Sequence, residues 1–142
     1  MEPSDVRRRL RTAIDQAKRR AADRRVVADE ASRVWAERLP ETIVPAFHAL
    51  QNALNGDGHR FTVSTPGETA RLSLERSAGE FVEMELDTER DLPAVVVRST
   101  RGRGSRTISS ERVVAEGPGI ADLGQDAVTD VLIEEIVPFI ER

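Results

Sequence analysis

The segment EFVEMELD, residues 80–87, alternates apolar and acidic side chains. Val82, Met84 and Leu86 fall to one side of an extended chain, and Glu83, Glu85 and Asp87 fall to the other. Successive side chains of a strand point to opposite faces, so a period of two predicts a strand with one dry side and one wet side. A helix would scatter the same residues around its axis. The reading of the fold extends from this strand in both directions.

The same period holds in RFTVST (60–65), TARLSLER (69–76), PAVVVRST (93–100) and RTISSERVVA (106–115). Pro66-Gly67, Ala78-Gly79, a loop ending at Pro93 and the Gly102/Gly104 stretch separate the five segments. Connections this short predict an antiparallel meander over residues 60–115. Phe61, Val63, Leu72, Leu74, Val82, Met84, Leu86, Val95 and Val97 form the expected core side. Arg71, Ser73, Glu75, Glu83, Glu85 and Arg98 form the opposite side.

Upstream, the period becomes helical. From Ser4, read as an N-cap, to Leu39 there is neither Gly nor Pro. Leu10, Ile14, Ala17, Ala21, Arg24, Ala28, Ala31 and Trp35 recur at alternating spacings of four and three, the seam of a coiled coil broken once by Arg24. Alanines let another helix approach closely but bury little area each, which predicts a packing or self-association face and not an autonomous zipper. Pro40 interrupts the helix. Ile43, Phe47, Leu50 and Leu54 then share one face of a second helix, with Pro45 in its opening turns and Asn55-Gly56 at its end.

Downstream of the sheet, EGPGIADLG (116–124) reads as a loop. A closing helix follows, with Gly124 as N-cap, Asp126 favourably placed in the first turn, Pro138 bending it near its end, Val128, Leu132, Ile136 and Phe139 inward, and acids outward. The predicted fold is α+β in one domain, 1–142. A kinked or broken helix pair (4–55), a five-stranded antiparallel meander (60–115) and a C-terminal helix (124–142) form two layers, with the helices on one sheet face.

Composition sets bounds on function. The chain of 142 residues has 39% hydrophobic and 32% charged residues, and no apolar run long enough for a membrane span. No apolar stretch follows the basic N-terminal residues, so no secretory signal is read and a soluble, cytoplasmic protein is expected. Cysteine is absent, which removes thiol catalysis, disulfides and Cys-ligated zinc. The net charge of −4 is unevenly spread: residues 1–38 hold 11 Lys+Arg against 7 Asp+Glu, leaving 10 against 18 for the rest. The basic first helix and the acidic last helix, with Asp126, Asp130, Glu134, Glu135 and Glu141, are suited to pack together within one chain or across a dimer.

Three patterns are candidates for chemistry. RSTRGRGSRT (98–107) sets Arg98, Arg101, Arg103 and Arg106 around two glycines. It reads either as an anion-gripping loop for phosphate or nucleic acid, or as a hairpin whose arginines guard a sheet edge. It lacks the Lys-[Ser/Thr] and the strand-to-helix context of a P-loop, and no aromatic residue lies within it. Glu83, Glu85 and Asp87 form either a cation site or a cross-strand charge ladder with Arg71, Arg76 and Arg98, and the ladder is the expectation. His48 and His59 have no metal-ligand spacing, and no serine has a nucleophile-elbow context.

An enzyme is therefore the weakest class, with no catalytic residue, cofactor or metal expected. The leading expectation is a non-catalytic protein–protein interaction module, homodimeric or bound to another protein through Leu10, Ile14, Ala17, Ala21, Ala28, Ala31 and Trp35. The alternative is nucleic-acid or phosphorylated-ligand binding at Arg98, Arg101, Arg103 and Arg106.

Overall fold

A computed structural model describes residues 1–141. Helix α1 (Pro3–Arg38) passes through a π-helical stretch (Leu39–Ile43) into α2 (Val44–Gly56); strands β1 (Phe61–Ser64), β2 (Ala70–Leu74), β3 (Ser77–Asp87), β4 (Ala94–Arg103) and β5 (Arg106–Glu116) follow; a 3-10 turn (Gly117–Asp122) leads to α3 (Gln125–Glu141). The strands lie in the order β1-β2-β3-β4-β5, each antiparallel to its neighbour. The chain is an α+β fold with its helices on one face of the meander.

The start of α1 differs from the expectation. Glu2 is the extended N-cap residue and Pro3 occupies the first helical turn, so Ser4 lies inside the helix. Proline suits that position because its missing N–H is one that a helix start leaves unpaired anyway. Pro40 does not break the chain into two separate helices. The turn around it widens, and the Val44 N–H donates to the Leu39 carbonyl five residues back. Helical backbone thus continues through the two prolines, with Pro45 in the first turn of α2 immediately after the widened π turn.

Two turns also fall elsewhere than the composition suggested. The β2–β3 reversal is at Glu75-Arg76, and Ala78-Gly79 belongs to β3. A register shift between Ser73 and Leu74, where Leu74 faces Ser77, accommodates it. Glu75 thus sits in a turn and not on the sheet face. The β4–β5 hairpin turns at Gly104-Ser105, with Gly104 at φ 63°, and Gly102 lies within β4 opposite Thr107. The 3-10 turn replaces the loop expected at 117–122.

One core lies between the sheet and the helices. Phe61, Leu72, Val82, Met84, Val95 and Val97 from the strands meet Ile43, Phe47, Leu50, Leu132 and Phe139 from the helices. The rings of Phe61 and Phe139 meet edge to face at 6.2 Å and 76°. Helix α2 also closes the exposed edge of β1: Gln51 Oε1 accepts the Val63 N–H at 2.6 Å and Asn55 Oδ1 accepts the Phe61 N–H at 3.0 Å. Backbone donors that an edge strand would otherwise present are used up this way. No helix among the described residues is long and apolar enough to cross a membrane.

Candidate functional site

Helix α1 is 36 residues long, but only Ala31 and Trp35 of it are buried. Trp35 is fully enclosed, and its indole N–H donates to the Glu68 carbonyl at 2.7 Å. Arg38, three residues on, donates to the Ala121 carbonyl. These contacts clamp the C-terminal end of α1 to the body. Ala28 and Ala21 are half-buried, and Arg24 and Arg25 line a cleft with Glu89, Arg90 and Asp91.

Beyond Ala21 toward the N-terminus every residue except Asp5 is exposed. At 1.5 Å per residue, residues 3–20 extend about 27 Å from the body. The seam is therefore continuous in sequence and divided in space. Its lower members Ala31 and Trp35 fill the core, while Leu10, Ile14 and Ala17 lie on the same helix face with no protein over them. Val6, Leu10 and Ile14 are 49%, 59% and 44% exposed.

Helical geometry places the charges around this stripe. At 100° per residue Arg7, Arg11 and Lys18 flank it on one side and Arg9 and Arg20 on the other, whereas Asp15 and Asp23 fall on the far face. Among the described residues, the only ion pair on residues 3–29 joins Arg8 to Asp5 at 3.4 Å. The projecting half is thus an apolar stripe with two basic margins.

The open side of the sheet is a charge ladder. Arg71, Glu83, Arg98 and Glu111 stand in register across β2, β3, β4 and β5. Arg71 pairs with Glu83 at 2.7 Å and stacks over the Phe81 ring at 4.3 Å. Arg98 bridges Glu85 and Glu111, and Arg90 bridges Asp87 and Glu111. A line from Asp87 to Glu111 crosses β4 at Val96, a residue on this polar side that has no exposure at all. The hydrogen bond from Arg98, joined by the nearby Arg98 and Arg90 charges, holds the Glu111 carboxyl below its ordinary range, and Asp87 with Glu111 raises Arg90. Glu83, Glu85 and Asp87 are each engaged by arginine, and no group of three metal-ligating side chains occurs among the described residues.

The arginine stretch is divided by the pleat. Arg98 belongs to the ladder, whereas alternation along β4 sends Arg101 and Arg103 to the opposite side. Arg106 faces Arg103 directly across the hairpin, so three of the four arginines cluster at its tip. Arg101, Arg103 and Arg106 have no ion pair among the described residues. The Gly102 N–H, which an anion-gripping loop would offer to a ligand, donates instead to Glu80 Oε1. His48, on α2, and His59, just after it, are both exposed.

Two apolar surfaces escaped the sequence reading. On α3, Ile133, Val137 and Ile140 are 45%, 42% and 39% exposed, so its outer face is not simply acidic. Their spacing of four and three was visible, offset by one residue from Val128, Leu132, Ile136 and Phe139, but the stronger inward pattern masked it. Between α1 and the 3-10 turn, Val26, Val27, Val34, Leu92, Pro118 and Ile120 line an apolar groove. It joins residues more than eighty positions apart, which no local pattern signals.

No protein-family model, no curated protein and no solved structure matches the chain.

Proposed function

We propose that the protein is a non-catalytic protein–protein interaction module that associates with itself through the projecting half of α1. The observation that carries this reading is the exposure of Leu10 and Ile14 on the helix face that, about five to seven turns further on, enters the core as Ala31 and Trp35. Contiguous apolar surface rimmed by polar residues is a mark of an interaction site. A helix of this length also exceeds what the body uses. Light scattering across a concentration series tests it. The wild type is expected to show concentration-dependent association, and Leu10→Glu with Ile14→Glu is expected to be monomeric with unchanged helical content. A strictly monomeric wild type at high concentration would remove the self-association reading.

A second reading rests on the hairpin tip. Arg101, Arg103 and Arg106 lie on one side of β4–β5 without counter-ions among the described residues, a cluster suited to phosphate groups of a nucleic acid or a phosphorylated ligand. It calls for binding to duplex or single-stranded DNA or RNA that weakens steeply with salt and is lost when the three become Ala. Binding that ignores salt, or none at low ionic strength, removes it.

A further inference from the structure

We propose that the projecting half of α1 docks antiparallel along the outer face of α3 in a second copy, the two copies forming a twofold dimer. This rests on the self-association reading above and names the surface that receives the seam.

The two surfaces match in pattern. Leu10, Ile14 and Ala17 are spaced by four and three, and so are Ile133, Val137 and Ile140. Both rows are exposed in the single chain, at 59% and 44% for Leu10 and Ile14 and at 39–45% on α3. Such rows are the elements that interlock when two helices pack at a shallow angle.

The charges match as well. The α1 stripe has arginine or lysine on both margins, whereas the α3 stripe is bordered by Asp126, Asp130 and Glu141. Asp126 and Asp130 have no ion-pair partner among the described residues, and Glu134 and Glu135 are held by Arg112 at 2.7 and 2.9 Å. A seam pairing with another α1 would instead bring basic margins together. With Leu10 set against Val137 in an antiparallel pair, Ile14 meets Ile133, Lys18 falls beside Asp130, and Arg7 lies near Glu141. A parallel pair built on the same Leu10–Val137 contact would carry Lys18 past the end of α3 and leave Asp126 and Asp130 without cations. Antiparallel helices also align their dipoles favourably.

The size of the contact argues for a second copy. One helix pair of about three turns falls short of the roughly 1,200 Å² typical of stable complexes. A twofold arrangement uses it twice, because each chain carries both the seam and its receiver.

The absence of cysteine makes cross-linking direct. Leu10→Cys and Val137→Cys are made separately, mixed in equal amounts and oxidised mildly. The expected result is a disulfide-linked dimer in the mixture and little in either variant alone. Cross-linking of Leu10→Cys by itself as readily as in the mixture would overturn the docking on α3 while leaving self-association through α1 intact. A ladder of higher disulfide-linked oligomers from the double variant carrying both Leu10→Cys and Val137→Cys would overturn the closed twofold arrangement. A monomer by light scattering with no cross-link in any sample would remove both readings. As a second measurement, Lys18→Glu and Asp130→Lys are each expected to weaken dimerisation about fivefold, and mixing the two is expected to restore it. No recovery on mixing would overturn the proposed register.

Discussion

The indole N–H of Trp35 donates to the main-chain carbonyl of Glu68 at 2.7 Å, fixing α1 to the segment that leads into β2. Trp35 has no exposed surface, so the bond lies in a dry site where an unpaired carbonyl is costly. Trp35→Phe keeps most of the apolar bulk but deletes the donor. It should lower unfolding free energy by about 1–3 kcal/mol, read by urea denaturation followed by far-UV circular dichroism. A loss well below this range would mean that the clamp rests on packing alone.

Gly117 begins the 3-10 turn at φ 52°, and its N–H donates to the Pro93 carbonyl at 2.8 Å. A Cβ at this position would lie 3.2 Å from Leu92 Cδ2. Gly117→Ala therefore meets both an unfavourable backbone conformation and a close neighbour. A loss of about 1–2 kcal/mol is expected. Gly119→Ala, with nothing near its Cβ and no positive φ, is the control and should be close to neutral.

Glu111 accepts from Arg98 at 2.8 Å and is also paired with Arg90, and its carboxyl titrates below the ordinary value of 4.5. A carboxyl whose folded pKa is depressed contributes stability that is present above its unfolded pKa and is lost as pH falls through the folded one. The wild type should therefore exceed Glu111→Gln in melting temperature at pH 6–7, and the gap should close as pH drops below the ordinary glutamate range. A gap that does not change with pH would show that the carboxylate charge is not what the site uses.

The period-two segments and their inward faces were legible because a strand writes its environment every second residue. Leu72, Val82, Met84, Val95 and Val97 are buried as that period requires. The turn between β2 and β3 was not legible, since Ala78-Gly79 looks more turn-like than Glu75-Arg76; cross-strand pairing of Leu74 with Ser77 decided the matter. The helix continues through Pro40 by way of a widened π turn, an adjustment that propensity does not encode. For the candidate site, the seam was readable in full but its division was not. Leu10 and Trp35 carry the same periodic signature, and only the reach of the sheet beneath α1 determines which of them is covered.

That division gives the sharpest contrast between two halves of one helix surface. Leu10→Ala with Ile14→Ala removes apolar groups that touch nothing in the single chain, and alanine is a better helix former than either. At concentrations where the protein is monomeric, stability should change by no more than about 0.5 kcal/mol. Leu132→Ala removes the same side-chain bulk as Leu10→Ala from a fully buried position, and should cost about 2–5 kcal/mol. At high concentration the ordering changes in kind. The α1 double variant should lose association while Leu132→Ala, where it remains folded, should keep it. Urea titrations at two protein concentrations separate these outcomes, because a stability gain that grows with concentration reports assembly and not the fold. A large loss for the α1 double variant in dilute solution would mean that residues 10 and 14 are covered within the single chain.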